Sequence, residues 1–286
     1  MRTEDFYNFM IKRETLRLRK ESSESFPWTD DPILQEYKFT NVKREHDKTT
    51  RWFWKNVLDP NKHKPKEYLL FNCAVFRYFG TIEFSEAIGG WNEIWPIDKE
   101  RIRDTAKQRL EQGQTVFTGA YVITNQGIKA PKQDVVIDEF LTPLWYKLHE
   151  LVRTADLTES WQAVAKRMME LKGFGGTGFM TKEVLQDALH TSVFTNCVDR
   201  NTWCPVGPGA KRGLNRTLGR DAKDSLKADL ALETMLKLFE ARNQYWPQTY
   251  VELELHDIQF QLCEFDKYER VRLGQGRPRN RYRRPQ

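Results

Sequence analysis

Apolar side chains recur at helical spacing through almost the whole chain, and this periodicity constrains the fold more than any other feature of the sequence. Two clear stripes are Phe6, Phe9, Met10 and Leu16 within residues 4–20, and Trp161, Val164, Ala165 and Met168 within residues 158–171. Further helical patterns cover residues 67–79, 98–112, 134–153, 180–190, 222–242 and 250–264, and another begins near Pro32. The sequence therefore predicts a mainly α fold.

The segment 115–124 is an exception, because its β-branched and aromatic residues are typical of a strand and a turn at Asn125-Gln126-Gly127 follows it. No second strand is evident, so we expect at most a short β excursion. The length of 286 residues, 39% of them hydrophobic, suits one large domain or two smaller ones. We assign residues 1–269 to a helical domain, with a hinge near 113–157 between two lobes, and residues 270–286 to a tail.

Several classes of protein are excluded by what the sequence lacks. No run approaches the ~18 apolar residues of a membrane span, and the charged N-terminus lacks the apolar core of a secretory signal. The four cysteines form no CxxC pair, and the five histidines form no HxH or HExxH pattern. We therefore expect a soluble protein in the reducing cytoplasm, with no metal, no other cofactor and no membrane partner.

The excess positive charge lies in the tail. Residues 270–286 contain no acid and seven arginines, namely Arg270, Arg272, Arg277, Arg279, Arg281, Arg283 and Arg284. Without those seven charges the net charge of +6 becomes −1, so the rest of the chain is nearly neutral. Arginine matches phosphate oxygens, and binding a polyanion releases counterions. The tail is either a nucleic-acid contact or a solvated segment that adds solubility.

A glycine-rich turn, LKGFGGTGFM at residues 171–180, lies between two helical patterns. Helix, glycine turn and helix is the layout of a helix-hairpin-helix element, in which backbone N–H groups bind a DNA phosphate. Gly173, Gly175 and Gly176 are the candidate DNA-binding residues, and the alternative is a helix–helix turn without a ligand. The turn is not a Walker loop, because no GK[ST] follows the glycines.

A second glycine-rich segment, WCPVGPGAKRGLNR at residues 203–216, combines glycines with basic side chains. Such glycines let successive backbone N–H groups converge on one anion. We predict a phosphate or pyrophosphate site formed by Gly207, Gly209, Lys211, Arg212, Gly213 and Arg216. The alternative is an ordinary surface loop that carries basic residues.

Asp199 lies between the two glycine segments, 24 residues after Gly175. Helix-hairpin-helix glycosylases place a catalytic carboxylate in roughly that region, where it acts as a base or stabilises a cationic transition state. The alternatives for Asp199 are a helix cap and a salt bridge.

After Trp28, Asn41, Arg44 and Asp47 stand at helical spacing in the pattern that begins near Pro32. On a helix they would form one line of polar side chains. These side chains would line a pocket that reads the edge of a base, with Trp28 as the stacking surface. The alternative is an internal Arg–Asp pair beside a buried tryptophan.

The segment LCEFDKYER at residues 262–270 leads into the tail. Cys263 has no identifiable base partner, which disfavours a role as a nucleophile. Glu264, Asp266 and Lys267 are candidates for an ion-pair cluster that docks the last helix.

Six blocks together resemble one known family. They are RETLRLRK, PWTDDPILQEYKFTNVKREHDKTTRW, TGAYVI, LKGFGGTGFM, WCPVGPGAKRGLNR and LCEFDKYERVRLGQGRPRNRY, and they spread over nearly the whole chain. The chain resembles the helical domain associated with 5-hydroxymethyl-deoxyuridine (5-hmdU) DNA kinases and the related α-glutamyl/putrescinyl-thymine pyrophosphorylases. Those proteins belong to bacteriophage thymidine hypermodification systems, and we expect a stand-alone member.

The resemblance implies a helix-hairpin-helix DNA glycosylase-like fold and, as substrate, a thymine-derived base in double-stranded DNA. That base would carry a phosphorylated or pyrophosphorylated 5-hydroxymethyl group, and an amine such as an amino acid or polyamine would displace the pyrophosphate. The protein would act in the cytoplasm of the infected bacterium. Kinases of the family carry their P-loop in a separate module and this chain has none, so we expect a separate 5-hmdU DNA kinase as a partner.

The resemblance also implies roles for the candidate residues. The segment 207–213 would hold the leaving pyrophosphate, while Trp28, Asn41 and Arg44 would receive a flipped base. Asp199 or Asp47 would deprotonate or orient the amine. Expected DNA contacts are the hairpin glycines together with Lys267, Arg270, Arg277, Arg279 and Arg281.

Three hypotheses follow, and a DNA-modifying transferase is the leading one. The second is a DNA glycosylase that excises a modified base, which the hairpin and Asp199 suggest. The third is a non-catalytic partner that presents DNA to a separate kinase.

Overall fold

Helices make up nearly all of the regular structure in the computed structural model, which describes residues 1–95, 97–278 and 281–282. They are α1 Thr3–Glu21, α2 Pro32–Glu36, α3 Lys48–Phe53, α4 Lys66–Phe79, α5 Ile82–Ala87, α6 Ile97–Glu111, α7 Lys132–Asp134, α8 Thr142–Thr158, α9 Trp161–Met168, α10 Phe179–Ala188, α11 Pro208–Thr217, α12 Ala228–Glu240, α13 Arg242–Tyr245 and α14 Leu255–Arg272. Short 3-10 turns lie at Arg44–His46, Asp59–Asn61 and Ser192–Phe194, and π-helical turns at Trp54–Leu58 and Val135–Leu141. The predicted mainly α fold is confirmed.

The chain divides into two units, which are described separately. Unit 1 consists of residues 1–47 and 201–286, and unit 2 of residues 48–200. The segment 113–157, where we expected a hinge, lies inside unit 2. Arg270 and Arg272 lie in α14, so the last helix continues past residue 269, where we placed the start of the tail.

Each unit has its own aromatic core. In unit 1, Phe6 of α1 packs edge-on against Phe265 of α14, with ring centroids 5.5 Å apart. In unit 2, α4 is buried along most of its length, and Phe71 packs against Trp95 and Trp145 at 4.8 and 4.9 Å. Within each unit, aromatic rings therefore supply much of the apolar area that the helices bury against one another. None of the helices in the described ranges combines the length and apolarity needed to cross a bilayer.

The predicted strand at 115–124 is wrong, since the described residues of this segment form only bends and irregular backbone. The segment packs instead against the end of α4: the Thr118 N–H donates to the Phe79 carbonyl at 2.7 Å, and the Tyr121 hydroxyl donates to the Arg77 carbonyl. A strand needs a partner, and the sequence offers no second one. The predicted turn that follows is confirmed, because Ile128 N–H donates to the Asn125 carbonyl at 3.0 Å.

The predicted helix from Pro32 is wrong beyond its first turn and a half. Helix α2 ends at Glu36, and Tyr37 is already extended, with φ −107° and ψ 138°. Gln261 explains why the helix does not resume, since its side-chain amide donates to the carbonyls of Asn41 and Val42 at 3.1 and 2.8 Å. Those carbonyls are therefore unavailable to a helical ladder.

The second glycine segment is neither the predicted glycine turn nor the alternative surface loop over most of its length, because residues 208–217 form α11. A Cβ added at Gly213 would collide with the Leu262 carbonyl oxygen, and one added at Gly209 would lie 2.9 Å from Cys263 Sγ. These two glycines let α11 approach the backbone of α14. The predicted pyrophosphate site assumed a turn in which glycine N–H groups converge on an anion. In the structure Gly209 and Gly213 instead allow close helix packing.

We predict that Gly213→Ala destabilises unit 1 by about 3 kcal/mol, because the added methyl group must displace the α14 backbone. Gly207→Ala is the matched control: nothing lies within 4 Å of a Cβ at that position, so its cost is expected to stay under about 1 kcal/mol. Urea unfolding of both variants measures the two free energies. Equal costs would contradict the packing role of Gly213.

Candidate functional site

Arginines from two helices converge on one buried carboxylate in unit 1. The Asp266 side chain of α14 is 1% exposed and accepts hydrogen bonds from Arg212 Nε at 2.9 Å and Arg216 Nε at 2.7 Å. Arg270 Nε lies 3.6 Å from the same carboxylate. Arg216 is also buried and donates to Gln275 Oε1 at 2.9 Å. A buried carboxylate thus holds two guanidinium groups by hydrogen bonds and lies beside a third.

A second buried carboxylate, one helical turn further along α14, repeats the arrangement. Glu269 accepts hydrogen bonds from Arg2 Nη1 at 2.7 Å and from Arg272 Nε and Nη2 at 2.7 and 2.8 Å. Burial raises the pKa of Glu269, but the hydrogen bonds and charges of Arg272 and Arg2 outweigh burial and lower it overall. Glu269 is therefore a charged partner at neutral pH.

We call these five side chains the arginine cluster: Arg2, Arg212, Arg216, Arg270 and Arg272. Its two organising carboxylates and the exposed Asp5 beside Arg2 leave two positive charges in excess. The side chains of Arg212, Arg270 and Arg272 remain 42, 38 and 44% exposed. Their outward N–H groups can therefore meet an oxyanion such as phosphate.

The arginine cluster unites residues that the sequence assigned to two different roles. Arg212 and Arg216 were predicted to bind pyrophosphate, and Arg270 to bind DNA. Nearby on α14, Lys267 Nζ lies 2.6 Å from Glu264 Oε1, as the predicted ion-pair cluster requires. Lys211 is half-buried on α11.

The tail arginines differ in their surroundings. Arg277 is exposed, whereas Arg281 Nη2 lies 3.5 Å from Glu36 and its guanidinium stands over the Tyr37 ring. Arg279, Arg283 and Arg284 lie outside the described residues. Among the described residues after the end of α14, Arg277 is thus the arginine most available to contact DNA.

The segment around Trp28 is internally bonded in unit 1. Trp28 is buried, and its Nε1 donates to the Glu24 carbonyl at 2.7 Å. The Asn41 backbone N–H donates to Asp47 Oδ1 at 3.2 Å, and its side-chain amide donates to the His46 carbonyl at 2.9 Å. Asn41 and Asp47 are therefore brought together as predicted, but by a bent loop and not by helical spacing.

In unit 2, α9 and α10 flank residues 169–178, which is consistent with the predicted hairpin. Gly173 has φ +89°, and a Cβ there would collide with Phe140 and the Tyr78 hydroxyl. A Cβ at Gly175 would lie 2.6 Å from the Met169 carbonyl oxygen, whereas Gly176, with φ +67°, faces open space. Gly173 and Gly175 thus serve packing, and Gly176 offers an open backbone beside the N-terminus of α10.

Asp199 caps the start of α9 in unit 2. Its carboxylate accepts from Ser160 Oγ at 2.6 Å, Trp161 N at 2.9 Å and Gln162 N at 3.0 Å. Cys197 Sγ donates to the same carboxylate at 3.2 Å. These contacts are those of a helix cap, one of the alternatives that the sequence left open.

Sequence reasoning missed Arg13, which is buried in unit 1 and donates through Nη1 to Gln261 Oε1. Its guanidinium stands 4.8 Å from the Phe9 ring centroid. A signal was available, because Arg13 falls on the apolar stripe of α1, three residues after Met10 and seven after Phe6. A charged residue at a core position of a helix is rare unless it has a partner or a function.

Comparisons with known proteins agree with the geometry of a helical module. Residues 1–277 match the model of a family described as "5-hmdU DNA kinase, helical domain". A curated relative, the 5-hmdU DNA kinase of Bacillus phage SP10, is 26% identical over 284 residues, which cover 92% of this chain and 44% of that protein. The chain thus spans less than half the length of that relative. No solved structure matches the chain.

We predict that Asp266→Ala destabilises unit 1 by about 3–5 kcal/mol, because it leaves the buried Arg216 charge without its carboxylate. Arg212→Ala removes only a partly exposed partner and is expected to cost less than about 1 kcal/mol. Urea unfolding at low and high salt measures both. If Asp266→Ala costs no more than Arg212→Ala, Asp266 does not organise the arginine cluster.

Proposed function

The chain belongs to the family of 5-hmdU DNA kinase helical domains, and we propose that it acts on DNA carrying a 5-hydroxymethyluracil-derived base. The observation that carries the proposal is the arginine cluster, a surface of guanidinium groups fixed by Asp266 and Glu269. Fixed guanidinium groups bind phosphate without first losing side-chain freedom. The exposed Arg277 and the open Gly176 backbone would add contacts to the DNA phosphates.

The leading reaction is displacement of pyrophosphate by an amine. The amine nitrogen attacks the 5-methylene carbon of the pyrophosphorylated base, the carbon–oxygen bond breaks, and pyrophosphate leaves with the bonding electrons. The nitrogen then loses a proton to a base, for which Asp47 or Asp199 is the candidate. Arg212, Arg216 and the neighbouring Lys211 would stabilise the leaving pyrophosphate. Trp28, Asn41 and Arg44 would receive the flipped base.

Phosphorylation by this chain alone is not proposed. The sequence contains no GxxxxGK[ST] motif to hold a nucleoside triphosphate. A separate 5-hmdU DNA kinase would supply the phosphorylated base in the cytoplasm of an infected bacterium. The amine would be an amino acid or a polyamine.

A glycosylase is the second candidate, because the hairpin of α9 and α10 is followed by Asp199 in the same unit. Its activity would require Asp199 to leave at least one of its cap hydrogen bonds, since Ser160, Trp161 and Gln162 all donate to that carboxylate.

Duplex DNA bearing pyrophosphorylated 5-hydroxymethyluracil, incubated with the full chain and a polyamine, tests these functions. We expect release of pyrophosphate and a new amine adduct on the base. Abasic sites without an adduct would favour the glycosylase, and stable binding with neither product would favour a non-catalytic partner of the kinase.

The double variant Lys211→Ala/Arg212→Ala is expected to abolish transfer while the chain stays folded. The slope of log affinity against log salt should also fall by about 2, because two phosphate contacts are lost. The matched control is Lys223→Ala/Lys237→Ala, which removes two exposed charges elsewhere in unit 1. Full activity of the first variant, or equal loss in both, would contradict the role of the arginine cluster.

A further inference from the structure

Loop 119–127 of unit 2 carries the most exposed large apolar side chain in the described part of the chain. Val122 is 77% exposed, whereas the next residue, Ile123, is 6% exposed. A single exposed valine is ordinary on a protein surface. The function of Val122 must therefore be argued from how the loop is held and from what surrounds it.

The base of the loop is fixed in unit 2. The Tyr121 hydroxyl donates to the Arg77 carbonyl, and Ile123 is buried. Beyond them, the side-chain amide of Asn125 donates to the Ala130 carbonyl at 2.7 Å and closes the loop. The residues on both sides of Val122 are thus anchored, and its β-branched side chain has little rotamer freedom to lose on binding.

The same loop contacts the glycine hairpin in two places. Gln126 Oε1 accepts from the Gly173 N–H at 3.3 Å. The Tyr121 ring packs edge-on against the ring of Phe179, the first residue of α10, at 5.2 Å between centroids. Phe179 is itself 40% exposed. Loop 119–127 and the hairpin therefore form one surface, on which exposed apolar side chains lie next to the glycine turn.

The charge of this surface indicates what binds it. Residues 112–133 and 171–182 contain no aspartate or glutamate, although the whole chain has 40 of them in 286 residues. Lys129 and Lys132 are exposed in the first segment, and the backbone at Gly176 faces open space in the second. An acid-free surface with lysines and an open backbone suits phosphates. An exposed apolar side chain between such groups matches duplex DNA, in which phosphates flank stacked bases.

We propose that Val122 is a wedge that enters the base stack of duplex DNA beside the nucleotide that is extruded, while the lysines and the hairpin bind the flanking phosphates. Extruding a base costs free energy because stacking is lost. An apolar side chain inserted at the opened step fills the gap and keeps the duplex kinked. The inference rests on the proposed function, since it describes how the DNA is opened.

The test uses duplex DNA in which 2-aminopurine follows a 5-hydroxymethyluracil on the same strand, because 2-aminopurine fluoresces more strongly when it is unstacked. Binding of the full chain should raise the fluorescence. At saturating protein, Val122→Ser should reduce that rise by at least about threefold, since the polar side chain fills the opened step poorly. The slope of log affinity against log salt should stay unchanged, because no phosphate contact is lost.

Two variants control for hydrophobicity and exposure. Val122→Ile keeps an apolar wedge and should keep the fluorescence rise. Leu157→Ser removes an apolar side chain that is 73% exposed on α8 of the same unit, and it should behave as the unaltered protein does. An undiminished rise in Val122→Ser, or an equal loss in Leu157→Ser, would overturn the wedge.

The double variant Lys129→Ala/Lys132→Ala tests whether the surface faces DNA. Its salt slope should fall by about 2, whereas the fluorescence rise at saturating protein should persist. An unchanged slope together with an undiminished rise in Val122→Ser would reject DNA as the occupant and favour a protein partner.

Pyrophosphate release separates the wedge from the proposed function. A fluorescence rise that depends on Val122, without release by the unaltered chain, would leave the wedge standing and reject the transferase. Release by the unaltered chain, with equal fluorescence in Val122→Ser, would reject the wedge and leave the transferase standing.

Discussion

The Asp266 carboxylate joins two parts of unit 1 that are far apart in sequence. It accepts from Arg212 and Arg216 of α11, lies next to Arg270 on its own helix, and through Arg216 reaches Gln275 beyond the helix end. Removing the guanidinium groups around a carboxylate buried this deeply would leave its charge without partners. The same groups then carry more positive charge than the carboxylate needs, and the surplus faces outward. The ion pairs of Asp266 therefore both stabilise unit 1 and position the guanidinium groups that we propose bind phosphate.

Close helix packing makes that interaction possible. Gly213 lets α11 approach the Leu262 carbonyl, and Gly209 makes room for Cys263. At this distance Arg212 and Arg216, one helical turn apart, both reach one side chain of α14. A larger residue at Gly213 would separate the helices and move the guanidinium groups away from Asp266. The glycines thus support the proposed anion binding by letting the arginines reach Asp266, although they do not provide the N–H groups that the sequence suggested.

The sequence predicted what depends on local periodicity. The stripe of Phe6, Phe9 and Met10 located α1 to within one residue at each end, and the glycines located the connection between α9 and α10. It did not predict what depends on partners distant along the chain. The loop at residues 37–43 is held by Gln261, some 220 residues later, and no local pattern encodes that contact. The helix at residues 208–217 was missed because glycine near a proline is a turn signal unless a neighbouring helix requires the missing side chain.

The discontinuity of unit 1 has a consequence for how the protein forms on the ribosome. Residues 48–200 emerge as one uninterrupted stretch and bring the whole of unit 2 with them. Helix α1, by contrast, is made before unit 2 yet packs through Phe6 against Phe265, a residue synthesised after unit 2. Its apolar stripe must therefore stay exposed throughout the synthesis of unit 2, which at typical elongation rates of about 5–20 residues per second takes many seconds. Unit 2 can therefore fold before unit 1, whereas the arginine cluster, which joins Arg2 to residues of α11 and α14, is assembled only after unit 2 has been synthesised.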